Sequence, residues 1–264
     1  MRALVTKAKF GELTQGAIFN CLRTPDAGKS YGVVVSARCD IAHRKSKTVL
    51  CLPILPLKDW MSTVGKQEVI SQAGKSVEKT ASDILEKYTI SKESFQIYGY
   101  DSTIEILKIK NIKKNDLNCL ESLKPYIEEK EIIKSNKQMK EAHNRILDSL
   151  WRNSRLDSHF IERIKTDEEC VGYIIDFTQP ITLNRTILDE LSLGLDKLKY
   201  DREKTGKYSN INLDDLDEGE IFSTLQSPFI EHILQRFTNY YSRIGTSDIS
   251  KIDFQNLKGT YEIA

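Results

Sequence analysis

This chain of 264 residues has no apolar run near the twenty or so residues that a membrane-spanning helix needs. It also lacks a charge excess: 39 Lys and Arg oppose 38 Asp and Glu, so no overall field draws it to nucleic acid or to an anionic membrane. Residues 1–7 lack the apolar core of a secretory signal peptide. The sequence therefore predicts a cytoplasmic protein without membrane association, and any nucleic acid would have to bind a local patch.

Cysteine is scarce as well. The five cysteines are odd in number and widely scattered, which favours reduced thiols over a disulfide framework. Cys39 and His43 form a Cys-x3-His pair, but they supply only two of the four ligands of a structural zinc site. The sequence therefore predicts no metal site and no cofactor. The 39% of apolar and 29% of charged residues are typical of a folded globular protein.

Short apolar, β-branched runs open the chain. Residues 2–9, 17–23, 31–37 and 48–54 are separated by turn residues and predict four strands. The uninterrupted Val33-Val34-Val35 indicates a strand that is buried on both faces. Strand character returns late in the chain, in the segments 170–177 and 220–225.

Helical spacing of apolar residues dominates the middle of the chain. It predicts an amphipathic helix over 66–88 and a long helix over 125–151, with Pro125 in the first turn of the second. Residues 201–219 are rich in Asp, Lys, Asn and Gly and predict an exposed connection. A closing helix is expected over 228–244.

This order of elements predicts an α+β fold: a small antiparallel β-barrel with a large helical insertion and a C-terminal helix. The barrel core would comprise residues 1–56 and 168–264, and the insertion residues 57–167. An insertion into one barrel explains the order with few chain crossings, whereas two consecutive domains would leave the late strands in need of other partners.

The segment from Gly16 to Pro53 resembles the MazF/PemK toxins, whose SH3-like barrels are mRNA endonucleases. The resemblance covers a Gly-led strand, a polar turn, a hydrophobic strand that ends at Ser36 and an apolar strand that ends at Pro53. In those toxins an arginine precedes the hydrophobic strand, and a Thr or Ser follows the later apolar strand. Here Lys29-Ser30-Tyr31 and Ile54 occupy these places. A lysine lacks the bidentate fork of arginine, so the resemblance implies the barrel but not the nuclease activity.

The string from Ser36 to His43, Ser-Ala-Arg-Cys-Asp-Ile-Ala-His, is similar to the Ser-x-x-Cys-Asp signature of a group of bacterial proteins often encoded near phage-defence or mobile-element genes. Those proteins also tend to end in a helix resembling residues 227–245 here. The resemblance implies a biological context and no activity. Because the string follows a buried strand, it should lie at the rim of the barrel, where binding residues are common. The candidate binding residues there are Ser36, Arg38, Cys39, Asp40 and His43.

Two interpretations of this string remain open. Cys39, Asp40 and His43 have the side chains of a nucleophile, a base and an orienting group. Alternatively, Cys39 is a small packed side chain, Asp40 accepts backbone N–H bonds in a turn, and His43 is solvated within a basic run.

The closing helix carries an unusual polar face. Ser227 and Pro228 fit its N-cap and first position. Solvated helix faces are usually dominated by Lys and Glu, but this face has neither and carries two arginines. It predicts contact with a partner or an internal polar network. The apolar stripe is Ile230, Ile233, Leu234, Phe237, Tyr241 and Ile244, and the polar face is His232, Gln235, Arg236, Asn239 and Arg243.

These observations favour a recognition or assembly subunit of a bacterial conflict or phage-defence system. Its partner would be a protein encoded nearby, or a second copy of the chain. The main alternative is a divergent ribonuclease, with Lys29 as electrostatic stabiliser, His43 as general base and Cys39 as a further candidate. The second alternative is a regulator that binds nucleic acid through the basic run of residues 108–114, which near-zero net charge disfavours.

Overall fold

The computed structural model describes residues 3–25, 28–203 and 206–242. Of the described residues, 47% are helical and 19% are in strands, and the main sheet is a curled, antiparallel half-barrel, so the fold is α+β. The strands of this sheet are β1 (Val5–Lys7), β2 (Ala17–Leu22), β3 (Ser30–Val34), β4 (Thr48–Pro56), β5 (Ser158–Ile161), β6 (Tyr173–Asp176), β7 (Ile181–Asn184) and β10 (Ile221–Leu225). A separate small sheet comprises β8 (Leu195–Asp196) and β9 (Glu218–Gly219).

Ten α-helices are assigned within these described ranges. They are α1 (Arg38–Ala42), α2 (Leu57–Trp60), α3 (Lys66–Lys87), α4 (Ser94–Tyr98), α5 (Tyr100–Ile109), α6 (Lys114–Glu129), α7 (Lys137–Trp151), α8 (Arg185–Leu193), α9 (Lys197–Glu203) and α10 (Phe229–Tyr241). A π-helical turn, Met61–Gly65, joins α2 to α3. No helix in the described ranges is long and apolar enough to cross a membrane.

The sheet runs in the order β1-β10-β2-β3-β4-β6-β5, and all of its pairs are antiparallel. The long strand β4 has two partners: its second half pairs with β6 and its first half with β7. Strands from both ends of the chain therefore lie side by side, because β10 separates β1 from β2.

The third strand is buried on both faces, as its run of valines predicts. Val34 packs in one apolar cluster, whereas Val33 and Val35 pack in another on the opposite side. Gly32 is the one position of β3 where a side chain has no room, because a Cβ atom there would lie 2.2 Å from the ring of Phe19 on the neighbouring strand. The close approach of this ring explains why glycine interrupts a strand of bulky residues.

The helical segment between β4 and β5 has a large apolar core of its own, built mainly from α3, α5, α6 and α7. This core reaches the sheet through Leu55, Phe160 and Ile174. Strand β5 lies within residues 57–167, which the sequence had assigned wholly to the insertion; this part of the prediction is wrong. The helices end at Trp151, and Ser158–Ile161 pairs with β6 as the last strand of the sheet.

One further prediction is wrong. The single helix over 125–151 is two helices, because Lys130 adopts a left-handed conformation (φ 52°) and Asn136 caps a new helix by accepting the N–H of Met139. Pro125 therefore lies inside α6 rather than in a first turn. The connection predicted to be exposed over 201–219 is exposed at most of its described residues, but it packs onto the core through three fully buried side chains. They are Tyr208, Ile211 and Leu213.

Candidate functional site

The rim of the half-barrel is formed by the turn that follows β3. Ser36 accepts the N–H of Leu50 at 2.8 Å through its hydroxyl, and the buried side chain of Ile41 anchors the short helix α1 to the core. Ser36 therefore shapes the turn and is not free to bind a ligand through that lone pair.

Three other predicted rim residues, Arg38, Cys39 and His43, are exposed, and Asp40 is half-buried. The thiol of Cys39 donates to Oδ1 of Asp40 at 3.5 Å. The backbone N–H of His43 donates to the carbonyl of Cys39 at 3.0 Å, but no hydrogen bond joins the two side chains in the described part of the chain. The geometry therefore does not assemble a nucleophile with a histidine base.

A basic run continues the rim beyond His43. Arg44 reaches Asp189 of α8 at 3.8 Å, whereas Lys45 and Lys47 are exposed and form no ion pair with any described residue. The rim is therefore locally positive although the chain as a whole is nearly neutral.

The rim and the closing helix meet in space. Nη2 of Arg38 lies 3.7 Å from Oε1 of Glu231, in the first turn of α10, and both side chains remain about half exposed. The exposed residues that this contact brings together are called here the rim–helix surface: Arg38, Cys39, His43, His232, Gln235 and Asn239. Glu231, which makes this contact, is absent from the predicted polar face. It could have been identified from the sequence, because an acidic residue in the first turn of a helix is stabilised by the helix dipole.

The apolar stripe of α10 faces the sheet. Ile230 and Ile233 are fully buried, Phe237 packs edge-on against Phe177, and the hydroxyl of Tyr241 donates to the carbonyl of Phe177 at 3.1 Å. The predicted cap is wrong: helix α10 begins at Phe229, its N-cap is Pro228, and Ser227 lies outside it. Ile244, the last predicted member of the stripe, lies outside the described residues.

Arg236 differs from its neighbours on the polar face because it points inward. Its guanidinium donates to the carbonyls of Asn153 and Arg155 and, at 3.0 Å, to that of Ser158. Burial lowers the pKa of Arg236. Its role is therefore to hold the connector between α7 and β5. The second predicted arginine, Arg243, lies outside the described residues.

His232 lies against a second histidine. Its ring is edge-on to that of the buried His159 on β5, with ring centroids 5.3 Å apart. Within the described ranges, no group of three or more His, Cys, Asp or Glu side chains is arranged to hold a metal ion.

Lys29 and His43, the candidate pair of a nuclease, lie at opposite ends of β3. Lys29 precedes Ser30 and lies near the Pro56 end of β4, whereas His43 follows α1 near the Thr48 end. The five residues of β3 alone span about 16 Å. These two side chains therefore do not form one site.

Lys29 instead lines a cavity of about 280 Å³ on the other end of the sheet. Tyr31, Lys165 and Phe222 also line it, with the ammonium of Lys165 lying 5.4 Å from the centre of the Phe222 ring. Nζ of Lys29 lies 3.9 Å from Oδ2 of the exposed Asp215. Sequence reasoning missed the aromatic lining, because its members come from distant strands.

The basic run of residues 108–114 spans the end of α5 and the start of α6. Its lysines are exposed and make no ion pair with described residues, and Ile109 between them is 80% exposed. Lysines at an ordinary solvated helix end are equally exposed, so the exposure of these lysines does not by itself indicate a ligand.

Comparison of this chain with protein-family models, with curated proteins and with solved structures gives no match. Any functional assignment therefore depends on the geometry of the residues themselves.

Proposed function

We propose that this chain is a non-catalytic recognition or assembly subunit of a bacterial conflict or phage-defence system, and that it binds a protein partner through the rim–helix surface. The contact between Arg38 and Glu231 carries the proposal, because it joins two segments that the sequence singled out separately. Together they form one exposed surface built from both ends of the chain.

The composition of this surface supports a binding role. The side chains of Gln235 and Asn239 are exposed and form no hydrogen bond with other described residues, so their donors and acceptors are available to a partner. Arg38 is held only by a long contact at 3.7 Å, and its guanidinium can rearrange to meet a carboxylate in bidentate geometry.

For residues 16–53 we infer a divergent MazF/PemK-like barrel of the SH3 type. Three consecutive antiparallel strands, β2, β3 and β4, within a curled sheet support this inference. The Ser-x-x-Cys-Asp string and the closing helix support the phage-defence context, since both belong to the resemblance and both border the same surface.

The absence of catalysis is supported by two positions. Ile54 occupies the place where a Thr or Ser follows the later strand in the toxins, and its side chain is fully buried in the core. Lys29 and His43 are separated by the length of β3, so one cannot stabilise phosphate charge while the other removes a proton from the same nucleotide.

A ribonuclease is the second candidate. The cavity that contains Lys29 favours it, because Tyr31 and Phe222 could stack on bases while Lys29 and Lys165 approach phosphates. Asp59 and Glu220 also line this cavity and oppose the binding of a polyanion.

Co-expression with the products of the flanking genes tests the proposal. The wild-type chain should elute with one of them in size-exclusion chromatography, and Arg38→Glu should abolish the complex without changing the melting temperature. Lys140→Glu is the matched control, because it reverses an exposed charge on α7. Loss of the complex in both variants, or in neither, contradicts the assignment of this surface.

An RNA cleavage assay separates the two candidates. The purified chain should cleave RNA no faster than buffer does. Reproducible cleavage that Lys29→Ala or His43→Ala reduces about a hundredfold would favour the ribonuclease and overturn the proposal.

A further inference from the structure

The cavity of about 280 Å³ that Lys29 lines has an aromatic wall. Tyr31 of β3 and Phe222 of β10 are both half-buried there, and their rings meet edge-on with centroids 5.9 Å apart. The ring of Tyr31 also lies edge-on to that of Tyr173 on β6, again at 5.9 Å. Contact with two other rings fixes Tyr31, so the wall offers a ligand a preformed apolar surface.

Charged side chains of both signs surround this wall. Lys29 and Lys165 line the cavity together with Asp59 and Glu220, which gives two ammonium groups and two carboxylates. The formal charges of these four groups cancel. A ligand with a large net charge of either sign would therefore be repelled by two of the four groups, whereas a ligand that carries both signs can be attracted by all of them.

The neutral polar side chains of the cavity are already bonded, but its carboxylates are not. The hydroxyl of Ser30 donates to the carbonyl of Leu22 at 3.3 Å, and the side-chain oxygen of Asn20 accepts the N–H of Glu220 at 3.0 Å. In the described part of the chain, the carboxylates of Asp59 and Glu220 form neither a hydrogen bond nor an ion pair. Both carboxylates are therefore available to a ligand that donates hydrogen bonds.

The two lysines are also available. Nζ of Lys29 lies 3.9 Å from Oδ2 of Asp215, an exposed pair of the kind that contributes little to stability. The ammonium of Lys165 lies 5.4 Å from the centre of the Phe222 ring and forms no ion pair with a described residue. Because a cation already lies over this ring, a purely cationic ligand would be repelled there, whereas a ligand carboxylate would be attracted.

The phenol of Tyr31 adds a neutral donor to the cavity. Burial raises the pKa of Tyr31, and the negative charges of Glu168 and Asp59 raise it further. The phenol therefore keeps its proton at neutral pH, and it donates to no described residue. It can donate a hydrogen bond to an oxygen of the ligand.

We propose that this cavity binds a small zwitterion with an apolar side chain, of the class of the free aromatic amino acids. The carboxylate of the ligand would bind the two lysines, its ammonium the two carboxylates, and its side chain the aromatic wall. The volume lies just below the range of about 300–1,000 Å³ typical of sites for drug-sized molecules, which suits a ligand of this size. The site shares no residue with the rim–helix surface, so the two proposals can fail independently.

Isothermal titration calorimetry of the full-length chain tests the ligand class, with L-phenylalanine and L-tryptophan as probes. At least one of them should bind saturably with one site per chain. N-acetylation removes the ammonium charge of the probe, and amidation removes its carboxylate, so each change should raise the dissociation constant about tenfold or more. Uridine 5′-monophosphate should bind more weakly than the amino acid, because its phosphate would meet the two carboxylates of the cavity.

Two variants test which residues meet each end of the ligand. Asp59→Asn and Lys165→Gln each remove one charge with little change in size, and each should weaken binding about tenfold. Asp59→Asn should also reduce the effect of N-acetylation but not that of amidation, and Lys165→Gln should do the reverse, because a residue and the group that it binds are energetically coupled. The control, Lys140→Gln, changes an exposed lysine on α7 and should bind like wild type.

Melting temperatures close to that of wild type identify the variants that have kept their fold. Three results would overturn the proposal: no saturable binding of either amino acid, equal binding of the charged and the blocked probes, or binding that both variants leave unchanged. Tighter binding of uridine 5′-monophosphate than of either amino acid would also overturn it and would favour the ribonuclease.

Discussion

The guanidinium of Arg155 and the carboxylate of Glu68 meet in a two-bond fork, with Nη1–Oε2 at 2.8 Å and Nη2–Oε1 at 2.7 Å. The same guanidinium binds Asp157 at 2.7 Å and lies 5.2 Å from the centre of the Trp60 ring. Arg236 of α10 holds the backbone carbonyl of Arg155. The closing helix is thus connected to the helical segment through one short connector.

The role of Arg236 can be tested by truncation. Arg236→Ala should destabilise the fold by about 2 kcal/mol, because the carbonyls of the connector lose a charged donor while remaining partly buried. In a chain of this size the melting temperature would fall by roughly 5 °C. Arg236→Lys should not restore it, since an ammonium lacks the fork. Gln235→Ala on the exposed face is the control, and an equal loss there would contradict an inward role for Arg236.

The stability contributed by Asp157 should depend on pH. Burial by itself would raise the pKa of Asp157, but the hydrogen bonds and charge of Arg155 outweigh it, so the pKa of the folded state is lowered. A lowered pKa stabilises the fold above the unfolded value of about 3.9, and this contribution is lost as pH falls through the folded pKa. The difference in unfolding free energy between wild type and Asp157→Asn should therefore be largest near neutral pH and shrink below about pH 4. Urea titrations at several pH values measure it, and a difference independent of pH would contradict the assignment.

The burial of β3 gives a third prediction. Val34 has no exposed surface, so Val34→Asp should cost several kcal/mol and abolish the cooperative thermal transition. Thr182→Asp, at an exposed position of β7, should melt close to wild type. If Val34→Asp retains a sharp transition at the wild-type temperature, β3 is not a core strand.

Asn153 forms two hydrogen bonds with the backbone of Phe160 on the edge strand β5, and its own backbone is left-handed (φ 52°). Asn153→Ala should lower the free energy of unfolding by about 2 kcal/mol, because two hydrogen bonds to Phe160 disappear and alanine tolerates the left-handed conformation poorly. Asn153→Gly loses the same bonds but adopts the backbone without strain, so it should be less destabilised than the alanine variant. Calorimetry distinguishes the two; an alanine variant as stable as the glycine variant would show that backbone strain is negligible here.

The strands that can be predicted from the sequence are those whose own residues show an apolar pattern typical of a buried strand. The valines of β3 and the apolar alternation of β10 show directly which side chains of each strand are buried. Both strands lie within three residues of their predicted bounds. The helix over 66–88 is confirmed as α3 for the same reason, because its apolar stripe faces one core. The break between α6 and α7 could not be predicted in this way, because the spacing of apolar residues continues across the left-handed turn at Lys130.

By itself the sequence determined an α+β fold with early and late strands, a helical middle and an apolar stripe on the last helix, because hydrophobic periodicity records which face of each element is buried. Only the tertiary structure decided what each polar residue contacts. Arg236 and Gln235 are neighbours on the same predicted face, yet one binds the connector and the other is exposed. Side-chain hydrogen bonds form between residues about eighty positions apart, and no local pattern records which distant carbonyl lies within reach.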